Sequence, residues 1–353
     1  MVEIDDIVRG HVSWDANAAL GDFIILRSSG MPVYNFCVAV DDSTMGITHV
    51  VRAEEHLSNT PRQLLILEAL GYKPPQYAHC SLILGQDRSK LSKRHGATSV
   101  SQFSGMGFLP EAMMNYLANL GWNDGTDKEI YTPEELISSF DLSRIIKSAA
   151  IFDMDKLKWV NSQHIKAKSI EELTPLVADV LRTGETPLIR QEDSEEVRKF
   201  LAQAIKIAQK DMELTVDARR LVASCLEYPL SETVETDPHV VEVLEDGFKE
   251  VSSAVLRDFK AGVLPTGANE NITEAFKTYV KGLGKELGRK GKGLFHPLRL
   301  ALTGSMNGPD IAEQLKLIQL ARDAVPDGYP LISLESRMQE LEAYLTSSVS
   351  NLV

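Results

Sequence analysis

Two patterns of apolar residues divide the chain near residue 100. Before it, short runs of β-branched and aromatic residues alternate with helical stretches, whereas beyond it apolar residues recur almost throughout at the spacing of amphipathic helices. Ile47–Val51 and Tyr77–Leu84 have the composition of buried strands, and Asn59-Thr60-Pro61 predicts a capped helix between them that Gly71 ends. Strand, helix and strand form a βαβ unit, so we expect parallel pairing with a right-handed crossover.

Turn and cap signals predict the remaining elements. Phe23–Arg27 and Val33–Val40 flank Ser28-Ser29-Gly30, which predicts a hairpin. Helix starts beyond residue 100 are marked by proline or by a capping box, at Pro110, Thr132 and Ser169. The longer amphipathic stretches are Glu195–Ala208, His239–Phe259, Glu274–Leu287, Ile311–Ala324 and Glu335–Leu345. We therefore predict an α/β fold followed by an all-α region.

Composition is that of a globular protein. The 353 residues have room for two or three domains, and 43% apolar with 25% charged residues is ordinary. The apolar stretches, such as Leu64–Leu67, are far shorter than the ~18 residues that span a bilayer. Cys37, Cys80 and Cys225 lie far apart, so neither a disulfide framework nor a cysteine zinc site is expected, and a reducing compartment fits best.

Positive charge is concentrated in a few places. The net charge of −13 argues against general attraction to polyanions. From Lys277 to Arg299, however, seven Lys or Arg residues stand against one acid, Glu286, and we call this stretch the basic segment. Such a segment could bind a polyanion locally or could be a solvated helix face, and the sequence alone leaves both interpretations open.

Candidate chemistry lies in the first hundred residues, beyond the ends of the two strands. Arg52, Glu54 and Glu55 follow the strand Ile47–Val51, at the edge where parallel sheets bind ligands. An arginine there can hold a carboxylate through two parallel hydrogen bonds, although a structural ion pair with Glu55 or a nearby acid is the alternative. The second strand leads into a loop that contains Lys90, Ser92, Lys93 and Arg94. Positive groups in such a loop can stabilise the charge that develops on a departing pyrophosphate.

The loop sequence Lys90-Leu91-Ser92-Lys93-Arg94 resembles the K-M-S-K-S signature of class I aminoacyl-tRNA synthetases. Further segments resemble bacterial-type glutamyl-tRNA synthetase, densely from about residue 20 to 165 and more thinly, but collinearly, from 166 to 353. These segments include Val33-Tyr34-Asn35-Phe36, Arg52-Ala53-Glu54-Glu55-His56, Leu109-Pro110-Glu111-Ala112, Phe152-Asp153-Met154-Asp155, Pro297-Leu298-Arg299 and Ala301-Leu302-Thr303-Gly304.

The resemblance implies roles for individual residues. Tyr34 and Arg52 would contact glutamate, and ATP would bind as its Mg²⁺ complex, without a tightly bound metal or organic cofactor. The ATP-binding residues would be Glu55, the backbone at Leu84, and Lys90, Leu91, Ser92, Lys93 and Arg94. Among these, Lys90 and Lys93 would be catalytic, and Lys93 is the expected transition-state stabiliser.

The resemblance also implies a domain organisation. Residues 1–100 would be the second half of a Rossmann-like catalytic domain, with the return segment of an acceptor-binding insertion. Residues 101–165 would contact the inner bend of the tRNA, and residues 166–353 would form a helical anticodon-binding region that divides near 262–270. The tRNA would then face the basic segment, through Lys281, Lys285, Arg289, Lys290, Lys292 and Arg299.

One signature of the family is absent from this sequence. The H-I-G-H motif should lie well before Lys90, and residues 1–89 contain none, so we expect an N-terminally truncated catalytic domain with part of its sheet. Two functions stay open: a glutamate–tRNA ligase that forms a glutamyl-adenylate, and a tRNA-binding fragment without adenylation activity. A tRNA-modifying paralogue is disfavoured, because such proteins lack the long helical region.

The resemblance finally implies partners and a compartment. We expect L-glutamate, ATP and tRNA(Glu) as substrates, with tRNA(Gln) left open, and a monomer that does not associate with membranes. An organellar location, in the chloroplast stroma or the mitochondrial matrix, is favoured over the alternative of the bacterial cytoplasm.

Overall fold

The computed structural model describes residues 1–92, 94, 96, 99–268 and 271–350. The chain divides into two compact units, Met1–His164 and Ile165–Val353. In the described residues, all strands lie in the first unit, while the second is built from helices and their connections. The predicted α/β fold followed by an all-α region is therefore confirmed.

The first unit begins with an antiparallel hairpin that the sequence analysis did not predict. Strand β1 (Val2–Asp6) pairs with β2 (Gly10–Trp14), and a short helix, α1 (Ala16–Ala19), follows. Solvent exposure alternates along β1, as expected for a ribbon with one face turned to the protein. The hairpin matters for the site, because the end of β1 places Asp6 against His79 of the parallel pair.

The next segment corrects a prediction. The turn at Ser28-Ser29-Gly30 is present, but the second strand predicted beside it is wrong, because Tyr34–Thr44 forms helix α2. Phe36 and Ala39, one helical turn apart, pack in one apolar cluster with the following helix. This packing outweighs the local preference of aromatic and β-branched residues for strands.

The predicted βαβ unit is present and holds the candidate site. It consists of β3 (His49–Ala53), α3 (Thr60–Ala69) and β4 (Gln76–Cys80). The two strands pair in parallel, with Arg52 opposite His79, so the predicted pairing is confirmed. Between β3 and α3 the chain makes a 3₁₀ turn, Glu54–Asn59.

The strand predicted at Tyr77–Leu84 is interrupted after Cys80. A separate short strand, β5 (Ile83–Leu84), pairs in parallel with β6 (Ala150–Ile151). The helices of this part are α4 (Val100–Gly105), α5 (Pro110–Asn119), α6 (Pro133–Ser139) and α7 (Met154–Ala167). The predicted helix start at Pro110 and the capping box at Thr132 are confirmed.

The second unit is helical wherever it is described. Its helices are α8 (Ile170–Arg182), α9 (Glu195–Ala208), α10 (Asp217–Leu226), α11 (Leu230–Thr236), α12 (Val240–Val243), α13 (Lys249–Lys260), α14 (Ile272–Glu286), α15 (Lys292–Thr303), α16 (Ile311–Ala324) and α17 (Leu334–Ser350). The capping box at Ser169 and the bounds predicted for α9 and α16 are confirmed.

One long helix predicted in this unit is wrong. The stretch His239–Phe259 is broken by a kink at Asp246 and Gly247, where the backbone leaves helical geometry and Gly247 has a φ of 86°. The Arg289 guanidinium packs where a Cβ on Gly247 would lie and donates a hydrogen bond to the Asp246 carbonyl oxygen. A side chain from the distant connection between α14 and α15 therefore occupies the kink, which the local periodicity cannot reveal.

Candidate active site

The candidate site lies at the carboxyl edge of the parallel pair β3 and β4. Arg52 is the penultimate residue of β3, and Glu54 and Glu55 begin the turn that follows. The loop that contains Lys90 returns to the same edge, since Lys90 Nζ lies 2.6 Å from Glu55 Oε2. The structure thus brings together the two groups of charged residues that the sequence analysis placed at the ends of separate strands.

Arg52 is held by neutral groups rather than by an acid. Its Nε donates to Nε2 of His79 at 3.1 Å, and its Nη2 donates to Oγ1 of Thr60 at 2.9 Å and to the His56 carbonyl oxygen at 3.4 Å. Its guanidinium also lies 5.4 Å from the Tyr77 ring centroid. No described residue forms an ion pair with Arg52, so the alternative of a structural pair with Glu55 is wrong. Arg52 can therefore still bind a carboxylate.

Tyr34 lies next to the same group of residues. It is the first residue of α2, its side chain is 54% exposed, and its ring centroid is 6.0 Å from that of His56. Because the backbone of His56 also accepts from Arg52, Tyr34 and Arg52 share a neighbour at an open surface. These are the two residues expected to contact glutamate.

A buried pair supports Arg52 from behind. His79 Nδ1 and Asp6 Oδ2 are 2.6 Å apart, and both side chains are fully buried. Burial lowers the pKa of His79 below its ordinary value, although Asp6 acts in the opposite direction. Burial alone would raise the pKa of Asp6, but hydrogen bonds from the Arg9 backbone N–H, from His79 and from the Val8 N–H outweigh it and lower the pKa.

The predicted ATP-binding residues cluster around one ion pair. Lys90 Nζ is 2.6 Å from Glu55 Oε2, and this contact lowers the pKa of Glu55. The Leu84 carbonyl oxygen accepts from the Phe152 N–H at 2.8 Å, and the Leu91 N–H donates to the Ile83 carbonyl oxygen at 3.0 Å. These backbone bonds fix the base of the loop beneath the exposed Lys90.

The rest of the loop is partly described. Arg94 Nη2 donates to Ser89 Oγ at 2.5 Å and pairs with Asp87 at 3.4 Å, so the loop folds back on itself. Ser92 lies between Lys90 and Arg94 along the chain. Lys93, the expected transition-state stabiliser, lies outside the described residues.

Sequence reasoning missed several residues that shape this edge. Arg9 pairs with Glu54 at 2.7 Å and donates to the His79 carbonyl oxygen at 3.0 Å and to Ser81 Oγ at 3.0 Å. Asp6 and His79 were missed as well, because they are 73 positions apart. A signal for Asp6 existed: a carboxylate before a glycine turn commonly accepts backbone N–H groups, as this one does from Val8 and Arg9.

The basic segment lines a separate site, within the second unit. A cavity of about 480 Å³ lies between α14, the start of α15 and the start of α16, and we call it the basic cleft. Its wall is apolar and includes Phe276, Val280 and Leu294. Its cationic residues are Lys277, Lys281, Lys285, Arg289, Lys290 and Arg299. The predicted RNA-facing residues therefore lie together, except Lys292, which lines a different cavity with His239, Glu242 and His296.

The two arginines of the cleft differ in their contacts. Arg289 is 21% exposed and forms ion pairs with Asp246 at 3.1 Å and with Glu250 at 2.8 Å. Its guanidinium is therefore already bound to acidic residues at and after the kink. Arg299 instead has a buried Nη1 without a hydrogen-bond partner among the described residues, and burial lowers its pKa. A buried, unsatisfied guanidinium nitrogen is costly for the protein alone, and an anionic or carbonyl oxygen could satisfy it.

The described residues contain neither a metal-binding cluster nor a membrane-spanning helix. No group of three or more His, Cys, Asp or Glu side chains is arranged to hold a metal ion among them. Among the same residues, no helix combines the length and the apolar character needed to cross a membrane.

Comparison with known proteins finds a separate family match for each of the two parts of the chain. A family model for the catalytic domain of class I tRNA synthetases (E and Q) matches residues 1–159, and one for an anticodon binding domain matches residues 163–321. A glutamate–tRNA ligase of Desulforamulus reducens is 43% identical over 90% of this chain and 64% of its own length. Its namesake in Heliobacterium modesticaldum is 43% identical over 88% of this chain and 60% of its own length.

Solved structures give the same result. The crystal structure of a glutamate tRNA ligase from Elizabethkingia meningosepticum, in complex with its amino acid, superposes with a TM-score of 0.74 at 27% identity. That match covers 98% of this chain and 66% of the other. The chain thus spans less than two thirds of the length of these relatives.

Proposed function

Because the chain belongs to the class I glutamyl-tRNA synthetase family, we propose that it takes part in the ATP-dependent joining of glutamate to tRNA. In this reaction the glutamate α-carboxylate attacks the α-phosphorus of ATP, and pyrophosphate leaves. The terminal ribose hydroxyl of the tRNA then attacks the acyl carbon of the adenylate, and AMP leaves. The observation that carries the proposal is the meeting of Arg52, Glu55 and Lys90 at one sheet edge.

Arg52 is the proposed amino-acid anchor, with Tyr34 beside it. Since the α-carboxylate must stay free to attack, the side-chain carboxylate of glutamate is the group that Arg52 would hold. Its Nη1 has no hydrogen-bond partner among the described residues, while Nε and Nη2 are occupied. A guanidinium fixed on its inner side and open on its outer side suits an anionic ligand, because the binding geometry exists beforehand.

The proposed ATP-binding surface consists of Glu55, the backbone at Leu84, and the loop Lys90, Leu91, Ser92, Lys93 and Arg94. Lys90 is neutralised by Glu55 and 60% exposed, so phosphate oxygens of Mg²⁺-bound ATP can compete for its ammonium group. In the proposal Lys90 and Lys93 stabilise the charge that develops on the departing pyrophosphate.

The helical region is proposed to bind the tRNA. The basic cleft supports this, since Lys277, Lys281, Lys285 and Lys290 stand on one apolar wall beside the unsatisfied Arg299. Lysines can track phosphates, while an apolar wall suits the faces of unstacked bases. In this proposal Arg289 shapes the cleft through Asp246 and Glu250, and Lys292 has no direct role.

The finer assignments belong to the same proposal. We assign residues 1–100 to the catalytic region, 101–165 to stem contact and 166–353 to anticodon binding, with tRNA(Glu) as substrate and tRNA(Gln) open. The relatives above are bacterial, which fits a bacterial-type enzyme, and an organellar compartment and a monomeric state stay predictions.

Glutamate-dependent exchange of pyrophosphate into ATP, with tRNA present, is the experiment that tests the proposal on this chain. A filter-binding titration of tRNA(Glu) accompanies it. Exchange above background establishes glutamate activation. Binding without exchange would leave a tRNA-binding role and contradict adenylation by this polypeptide.

A further inference from the structure

We propose that His79 is a positioning residue for Arg52: as a neutral imidazole protonated on Nδ1, it accepts a hydrogen bond from Arg52 Nε and fixes the direction of the guanidinium. Asp6, in turn, fixes the imidazole. The functional part of this inference rests on the proposed role of Arg52 in glutamate binding.

The donors and acceptors at His79 permit one arrangement. An arginine side chain has N–H donors and no acceptor, so a ring nitrogen 3.1 Å from Arg52 Nε must present a lone pair. Nε2 of His79 is therefore unprotonated, and Nδ1 carries the hydrogen. That hydrogen points at Oδ2 of Asp6, 2.6 Å away. The other oxygen of Asp6 accepts the backbone N–H groups of Val8, Arg9 and His79, at 3.0, 2.8 and 3.2 Å.

The surrounding charges favour the neutral ring. His79 faces Asp6 from the hairpin, Arg52 from β3 and Arg9 from the turn after β1, and the Tyr77 ring stacks on it at 6.0 Å. A proton on Nε2 would place a second cation against the Arg52 guanidinium inside a fully buried environment. Glu54 is already paired with Arg9, so Asp6 alone would have to compensate for the charged ring beside Arg52.

Thr60 provides a further hydrogen-bond acceptor for Arg52. Its Oγ1 lies 2.9 Å from Arg52 Nη2 and accepts from it, while its own hydrogen can go to the His56 carbonyl oxygen at 3.4 Å, which leaves the lone pair of His79 Nε2 to Arg52. The inner N–H groups of Arg52 therefore end on one nitrogen and two oxygen acceptors, from His79, Thr60 and the His56 backbone. Packing alone would not need a polar chain that links the hairpin, both strands and α3, whereas a precisely aimed guanidinium does.

Two substitutions of His79 separate its contact with Arg52 from its contact with Asp6. In His79→Gln the amide oxygen can take the place of Nε2 and accept from Arg52. In His79→Asn the shorter amide can take the place of Nδ1 and donate to Asp6, but it leaves Arg52 Nε without an acceptor. His49→Asn, at the exposed start of β3, is the control.

The experiment uses the full chain and reads Arg52 directly by nitrogen-15 NMR. In the wild type, Nε2 of His79 should appear unprotonated and Nδ1 protonated, without change from about pH 8 to about pH 6. Exchange of the Arg52 Nε–H with water should accelerate at least tenfold in His79→Asn and much less in His79→Gln, with His49→Asn unchanged. A protonated Nε2, or equal acceleration in both variants, would overturn the proposal.

Kinetics then test the functional part separately. In the exchange reaction, His79→Asn should raise the KM for glutamate at least tenfold while the KM for ATP stays within twofold, and His79→Gln should retain most glutamate use. Equal changes in both constants would indicate a structural role only and overturn the positioning role. Absence of exchange in the wild type would contradict the proposed function, while the NMR result would still decide whether His79 positions Arg52.

Discussion

The sheet-edge site and the basic cleft both present cationic side chains, but they hold them differently. At the sheet edge, Arg52 and Lys90 each have near neighbours at hydrogen-bond distance, and the support behind Arg52 is fully buried. In the basic cleft, Lys277, Lys281 and Lys285 form no ion pair with any described residue and stand on an apolar wall. The sheet-edge site fixes the orientation of one guanidinium, whereas the basic cleft brings several positive charges close together.

This difference matches two kinds of anionic ligand. A small amino acid has a carboxylate that must be placed within a few tenths of an ångström of its reaction partner, so its anchor has to be aimed. An RNA backbone is a row of phosphates, and its binding depends on how many are neutralised and on the salt concentration. A chain with a net charge of −13 can therefore bind RNA where its lysines gather and repel it elsewhere.

The largest expected effect tests the role of Arg52 in glutamate binding. Arg52→Lys removes the bidentate contact and the hydrogen bond to His79, so glutamate use should fall by about 2 kcal/mol or more, roughly thirtyfold in kcat/KM. Glutamate titrations of pyrophosphate exchange measure it, and Lys292→Glu is the matched control outside the site. Unchanged glutamate dependence would remove Arg52 from the amino-acid site.

The next largest expected effect tests the lysines of the basic cleft. Replacing Lys281, Lys285 and Lys290 together with Glu should weaken tRNA binding by roughly tenfold or more and reduce the salt slope by about 2 to 3. Filter binding over a salt series measures both. Lys292→Glu should change neither, because Lys292 lines another cavity. An unaltered slope in the triple variant would return the basic segment to a solvated surface.

The contrast also explains what the sequence could predict. Arg52 was found because a charged residue directly after a buried strand points to a ligand edge, and α16 was found because apolar residues recur at helical spacing along Ile311–Ala324. Both signals lie within a few residues of the feature. Asp6 and His79 carry no local signal of their pairing, since the fold alone brings them across 73 positions.

Two errors have the same origin. Residues 34–40 look like a strand locally, but contacts with α3 make them a helix. The kink at Gly247 depends on Arg289, which contacts Asp246 although the two residues are 43 positions apart in the sequence. Tertiary contacts outweigh local propensity at both places.

A third prediction concerns acid stability of the first unit. Since the pKa of His79 is below its ordinary value of about 6.5, its neutral form contributes stability that is present above about pH 6.5 and is lost as pH falls through the lowered value. The lowered pKa of Asp6 acts in the same direction at still lower pH.

Tryptophan fluorescence can measure this effect. All three tryptophans, Trp14, Trp122 and Trp159, lie in the first unit, so urea unfolding followed by fluorescence reports on that unit. The wild type should lose stability between about pH 6.5 and pH 5, and His79→Gln should lose less over that range. A wild-type midpoint that rises on acidification would contradict a neutral His79.

The smallest expected effect separates the loop from the arginine behind it. Glu55→Gln removes the negative charge from the 2.6 Å contact with Lys90, but that pair is exposed, so the urea midpoint should not change measurably. Freed of its partner, Lys90 carries an uncompensated charge toward the phosphates of ATP, and the KM for ATP should therefore change while the KM for glutamate does not. Initial rates of exchange at varied ATP and then at varied glutamate measure the two constants, with Glu68→Gln on the exposed side of α3 as the control. A change in the KM for glutamate alone would place Glu55 with Arg52 in the amino-acid site. The proposed separation between an arginine that binds glutamate and a loop that binds the phosphates of ATP would then be wrong.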